Sequence, residues 1–289
     1  MALTTTPNGV WVLQALLGVE TLPVALRLRP FIPSLYDDSV VVATTAGPVP
    51  VAQTAEHASL VAAGVIDAAG AVDGTVRDWM TVLSRAERQV VMAIRGPDPA
   101  TVGDASPTVQ ERVLVVCRHR RWLAMAARDG DEVVIDAVGE SEHPDQQVEL
   151  ICNAMLPAFG DADPADIEGV NVPAELMYTT LNNAAPHGHD VLVPALARLG
   201  LAPPLPEVLT AAARFDESAM AVVSLIDTGV STTVHPRVLT VADTAYGRVS
   251  ITTSASADGK EWLTIWPATL AGLRDELTTL LTAPHAASR

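Results

Sequence analysis

Asp161, Asp163, Asp166 and Glu168 stand within one short segment, 160–169, and carboxylates at such spacing suggest calcium. An EF-hand loop needs oxygen ligands at its positions 1, 3 and 5, glycine at 6 and glutamate at 12. Here position 5 is Ala165 and position 6 is Asp166, so the segment reads as a solvated linker and not as a metal loop. His187-Gly188-His189 places two imidazoles together, yet no third ligand of matching type follows in register. With Pro186 and Gly188 beside them, they read as a helix–helix turn with His189 or Asp190 near an N-cap. His57, His119, His143, His235 and His285 are dispersed, and no nucleophile elbow, phosphate loop, dinucleotide fingerprint or kinase signature occurs. A serine-histidine-aspartate site is a matter of geometry rather than spacing. An enzyme, hydrolase-like and on an unfamiliar α+β fold, therefore stays open as the alternative reading. Cys117 falls in an expected strand and Cys152 in an expected helix, where two buried reduced thiols are the simpler reading.

Apolar recognition is the other chemistry on offer. Leu192, Leu196, Leu199 and Leu201, with Leu205, Val208 and Leu209, exceed what one buried helix face needs. Each alone reads as core. As a group they suggest an exposed apolar groove suited to the helical tip of a partner. Trp11, Trp79, Trp122, Trp262 and Trp266 all fall on expected helix or strand faces, where core packing is the default.

These residues need elements to hold them. Val10, Leu13 and Leu17 recur at helical spacing up to Gly18, a left-handed cap, and after Pro23 the period becomes two, which predicts a strand over 24–29. Helical patterns follow at 56–65 and 76–83, and a strand at 89–94. The runs 112–118, 122–128 and 133–138 alternate as strands, the last two joined by Asp129-Gly130-Asp131. Val148, Ile151, Cys152 and Met155 then mark a helix. The second half repeats the plan. Helices at 174–184, 191–199 and 204–215 precede strands at 220–226, 238–241, 248–253 and 262–266, and a leucine-striped helix closes the chain at 270–281.

Both halves thus run strand, strand, Asp-Gly hairpin, strand, helix. The expected fold is α+β, with an antiparallel β-sheet core, flanking helical bundles and two pseudo-symmetric halves, 1–160 and 161–289, forming one compact unit. The segments 34–53 and 96–107 remain as long loops, the second an extended hairpin loop at the sheet edge, and 158–168 reads as a polar linker.

A net charge of −16, with Lys260 the sole lysine, argues against nucleic acid and against an anionic membrane surface. No apolar run approaches the roughly 20 residues of a spanning helix, and the start lacks a basic region, so a cytoplasmic protein is expected.

The wording of the chain adds a resemblance. Asn8-Gly9-Val10-Trp11, Leu13-Gln14-Ala15 and Leu28-Arg29-Pro30 resemble the opening of the EspG family, the ESX (type VII) secretion-associated proteins of mycobacteria. Val65-Ile66-Asp67 with Val76-Arg77-Asp78-Trp79, Gly169-Val170-Asn171-Val172-Pro173, and Asp243-Thr244 with Gly247-Arg248-Val249 resemble later stretches of the same family, in order. The resemblance implies a non-enzymatic cytosolic chaperone without cofactor or metal, on an EspG-like fold of two pseudo-symmetric halves. Its partner would be a PE–PPE heterodimer, held through the hydrophobic tip of the PPE subunit, with weak self-association as a further option. Carried over by position, the contacts would come from 174–215, 226–234 and 96–107. Partner-binding residues on this reading are Leu192, Leu196, Leu199, Leu201, Leu209, Thr228, Val230, Thr232 and Val234.

Overall fold

The structure is a computed structural model and describes residues 2–32, 40–44, 47–98, 100–101, 108–229, 231–256 and 259–283. Its contacts group the chain into two units. The first comprises Met1–Val90, Val113–Ile151 and Thr228–Thr232. The second comprises Val91–Arg112, Cys152–Asp227 and Thr233–Arg289.

In the first unit β1 (Leu3–Thr5) pairs antiparallel with β7 (Glu132–Glu140), Leu3 opposite Ile135. On the other side of β7 lies β6 (Trp122–Asp129), and next to it β5 (Val109–His119), whose residues up to Arg112 belong to the second unit. Gly130, at φ 56°, makes the β6–β7 turn that the Asp-Gly pair predicts. The helix α1 (Pro7–Leu17) starts where Thr6 accepts from the Gly9 N–H at 3.1 Å and stops at Gly18, left-handed at φ 65°. A Cβ at Gly9 would meet Thr5 Oγ1, so a larger residue there needs the threonine to turn. Residues Gly9 to Ala15 are all buried, and Gln14 settles its amide on the Val19 and Glu20 carbonyls. Thr54 and Asp73 cap α2 (Ala55–Ala62) and α3 (Gly74–Ser84).

Two expectations are corrected in this unit. Residues 24–29 form no strand: Val24–Leu26 is a 3-10 turn ending at Arg27 with φ 50°. The Leu26 and Arg27 carbonyls receive the Arg128 guanidinium at 3.0 and 2.7 Å, so the backbone is satisfied without a ladder. The long loop 34–53 contains a hairpin, β2 (Val41–Thr44) with β3 (Gly47–Pro50), and a 3-10 turn at Val51–Gln53.

The second unit carries strands in the order β4, β9, β11, β12, β13, β8. These are β4 (Arg88–Pro97), whose first residues belong to the other unit, β9 (Ala219–Thr228), β11 (Leu239–Thr244), β12 (Gly247–Ala255), β13 (Glu261–Pro267) and β8 (Val170–Pro173). A short β10 (Thr232–Val234) also pairs with β9. Four helices complete this unit: α5 (Ala174–Ala184), α6 (His189–Ala197), α7 (Leu205–Ala212) and α8 (Leu270–Thr282). The helix α4 (Pro144–Met155) runs from the first unit's sequence into the second's.

The repeated plan is present in the connectivity. Strands β5, β6 and β7 form a meander followed by α4, and β11, β12 and β13 form one followed by α8. In each case the strand that opens the segment, β1 or β8, pairs with the last strand of the meander. The 96–107 loop does not arise at a lateral edge, because β4 has β5 on one side and β9 on the other.

Candidate partner-binding site

Burial decides the fate of the leucines first. Leu196 is fully buried, and Leu192, Leu201 and Leu209 are 3%, 5% and 7% exposed, packed with Met177, Leu205, Leu263 and Ile265. Leu192, Leu196 and Leu201 line no open groove, which corrects the expectation for these three. Three short helices stack in succession here, and each leucine is consumed in holding one to the next. Leu199 lies half-buried at the margin of the same cluster.

The apolar cleft of this unit opens beside them. Met177, Tyr178 and Leu181 of α5 form one wall, and Leu209, Ala212 and Ala213 on and after α7 another. The sheet supplies the floor through Ile251 and Thr253 of β12 and Leu263 and Ile265 of β13. Antiparallel register sets Ile251 opposite Ile265 and Thr253 opposite Leu263, so the period of two presents all four on one face. Met220, Val238 and Thr240 extend the floor, and the cavity measures about 190 Å³. Leu209 is thus the sole leucine of the expected set in this lining, seen from its side of α7. Tyr178, 46% exposed, stands at the rim.

Chemically the lining offers contact area, two threonine hydroxyls and a phenol. It brings together no carboxylate–imidazole pair of the kind general acid–base catalysis needs.

The other expected residues lie at the end of β9 and in β10. Thr228 and Thr232, in the first unit, are exposed, and the Thr228 N–H donates to the Glu87 carbonyl at 2.7 Å. Val234, in the second unit, is 60% exposed. Val230 lies outside the described residues.

The acidic segment is not a free linker. The buried Arg248 guanidinium binds the Asp243 carboxylate and donates to the Phe159 and Gly160 carbonyls, the last at 3.1 Å. Its backbone N–H donates to Asp163 O at 2.7 Å, and its carbonyl accepts from Ala165 N at 3.0 Å. Gly247, at φ 106°, allows the approach: a Cβ there would stand 2.7 Å from Ala165. The Asp243…Gly247-Arg248 wording is therefore a clamp that ties residues 159–165 to the sheet. At 187–189 the N-cap position falls to Gly188, with no side-chain cap, and α6 begins at His189. Among the described residues no group of three or more His, Cys, Asp or Glu could hold a metal ion, and no helix is long and apolar enough to cross a membrane.

Burial raises both thiols, that of Cys117 to about 12. The tryptophans divide: Trp11 and Trp79 are buried, while Trp122 and Trp266 are about half exposed.

Sequence comparison adds independent findings. The EspG family profile matches residues 6–279. The ESX-2 secretion-associated protein EspG2 of Mycobacterium tuberculosis is 30% identical over 255 residues, covering 86% of this chain and 83% of its own. The ESX-5 secretion-associated protein EspG5 of Mycobacterium marinum is 26% identical over 285 residues, covering 92% and 88%. The solved structure of the M. tuberculosis type VII secretion system chaperone EspG5, in complex with a PE25–PPE41 dimer, superposes with a TM-score of 0.75. That match has 25% identity and covers 99% of this chain and 98% of EspG5.

Proposed function

The chain belongs to the EspG family, and from that premise we propose that it is a chaperone of type VII secretion that binds a PE–PPE heterodimer. On this reading it engages the apolar tip of the PPE subunit, keeps the pair soluble and hands it to the secretion machinery. The observation that carries the proposal is the near-full-length likeness to EspG5, a protein solved with a PE25–PPE41 dimer bound. The cleft between α5, α7 and the sheet supports it, because its lining is apolar and its rim carries a half-exposed tyrosine.

Docking there removes an aggregation-prone tip from water while leaving a contact that can be released. The buried leucines Leu192, Leu196 and Leu201 serve by fixing the helices that frame the cleft, and Leu209 meets it directly. Thr228, Val230, Thr232 and Val234 are proposed as further partner contacts. Such a chaperone works in the cytoplasm and performs no chemistry on its cargo.

Co-expression with each PE–PPE pair of the same genome, followed by co-purification, tests the proposal. One pair is expected to elute with the chain as a stable complex. Well-folded chain that retains none of them would count decisively against it.

A further inference from the structure

A chain with 18 basic side chains in 289 residues places three of them, Arg118, Arg120 and Arg121, at the two-residue turn from β5 to β6, with Trp122 following. Arg120 holds φ at 56°. Turns of this length favour glycine, asparagine or aspartate where φ is positive, so arginine is the less favourable residue for the fold there. Hydrogen bonds fix the turn. The buried Gln147 of α4 donates its amide to the Arg120 carbonyl at 3.4 Å and to the Ser141 carbonyl at 2.6 Å. The Ser141 N–H donates in turn to the Arg121 carbonyl at 2.9 Å.

The three arginines differ in their partners. Arg118 faces Glu87 at 3.8 Å and donates to Gln147 Oε1 at 3.3 Å. Arg121 has Glu140 at 3.5 Å and Glu142 at 3.4 Å, and its guanidinium lies over the Trp122 ring, 4.9 Å from the centroid. The exposed Arg120 guanidinium makes no ion pair or hydrogen bond with any described residue. A hollow of about 520 Å³ opens here, lined by Arg120, Arg121, Trp122, Glu142 and Gln147. Trp122 is 45% exposed beside it.

Three guanidiniums against the carboxylates of Glu87, Glu140 and Glu142 leave no net positive field, which selects against a polyphosphate or a nucleic acid. What remains is one free planar fork beside a half-exposed indole. Such a fork takes a single carboxylate through two parallel bonds, and the indole takes an apolar neighbour. We propose that this hollow binds an acidic peptide segment, with one carboxylate on Arg120 and the adjoining apolar side chain on Trp122. It shares no lining residue with the cleft assigned to the PE–PPE dimer, and the proposal stands whether or not that cleft receives one.

The test is heteronuclear NMR of the full chain titrated with a short peptide, glycine–glutamate–leucine–glycine blocked at both ends. Against a net charge of −16 such binding is weak, so the peptide is used at millimolar concentration. Saturable shifts are expected at the Trp122 indole N–H and the Arg120 Nε–H, and the peptide with glutamine for glutamate should bind at least about fivefold more weakly. Arg120→Gln should abolish the saturation. Arg120→Gly should abolish it too, with the melting temperature equal or higher, since glycine adopts φ 56° freely. No saturable shift at either group, equal binding of the two peptides, or wild-type binding by Arg120→Gly overturns the proposal. Tighter binding of inorganic pyrophosphate than of the glutamate peptide makes this a phosphate site and overturns it as well.

Discussion

The buried Arg248 guanidinium is held by the Asp243 carboxylate and two backbone carbonyls, those of Phe159 and Gly160. Removing the buried arginine leaves the Phe159 and Gly160 carbonyls without their donor, while Asp243, 32% exposed, can turn to water. Arg248→Ala should therefore destabilise the protein by about 1–3 kcal/mol in denaturant unfolding. Arg248→Lys should recover little, since one ammonium cannot reproduce the bidentate grip. Leu196 and Leu199 offer a contrast of burial at neighbouring turns. Leu196→Ala should cost about 2–5 kcal/mol, the range for emptying a closed core site, and Leu196→Asp should lower the melting temperature further than Leu199→Asp does. At Cys117 burial pushes the thiol up to about 12, so almost no thiolate exists at pH 8. A thiol reagent should leave Cys117 unlabelled in the native protein and label it once denaturant is added.

At the scale of elements, close backbone approach governs two joints. A Cβ at Gly169 would run into the Trp266 ring, just before β8 pairs with β13. Gly169→Ala should displace the indole, shift tryptophan emission and cost about 1–3 kcal/mol. Asp73 caps α3 with bonds from the Thr75 and Val76 N–H groups, and these hold its carboxyl below the usual range. A depressed folded-state pKa stabilises above the unfolded value and is lost as pH falls through the folded one. Acid unfolding of Asp73→Asn should accordingly show a weaker pH dependence, because amide capping does not titrate. Much of this layer was legible in the sequence. Periods of 2 and 3.6 located the meanders and their closing helices, and Asp129-Gly130 marked a turn, because burial on one face imposes those patterns locally. Residues 24–29 misled because alternation records side-chain faces and says nothing of where the carbonyls go. There they go to Arg128. The leucines misled for a related reason: apolar excess is the same whether three helices stack on one another or one lies open. The cleft was not legible, since its lining comes from α5, α7, β9, β11, β12 and β13 and only folding assembles it.

For the whole molecule, a chain of net charge −16 resists indiscriminate contact with other acidic macromolecules. An apolar cleft within it selects by shape and desolvation instead. The affinity for a PE–PPE dimer should then vary only a few-fold with ionic strength, in contrast to an interface driven by exposed ion pairs. Tyr178 can be replaced without disturbing the fold, because it is 46% exposed at the cleft rim. The direct measurement is titration calorimetry of the co-purifying PE–PPE dimer into wild-type chain and into Tyr178→Asp, with thermal unfolding of both proteins. The variant should melt with the wild type yet lose at least about a hundredfold in affinity, as a charge facing an apolar tip at an interface hot spot requires. Equal affinity in a folded Tyr178→Asp protein would contradict this and place the binding surface away from this cleft.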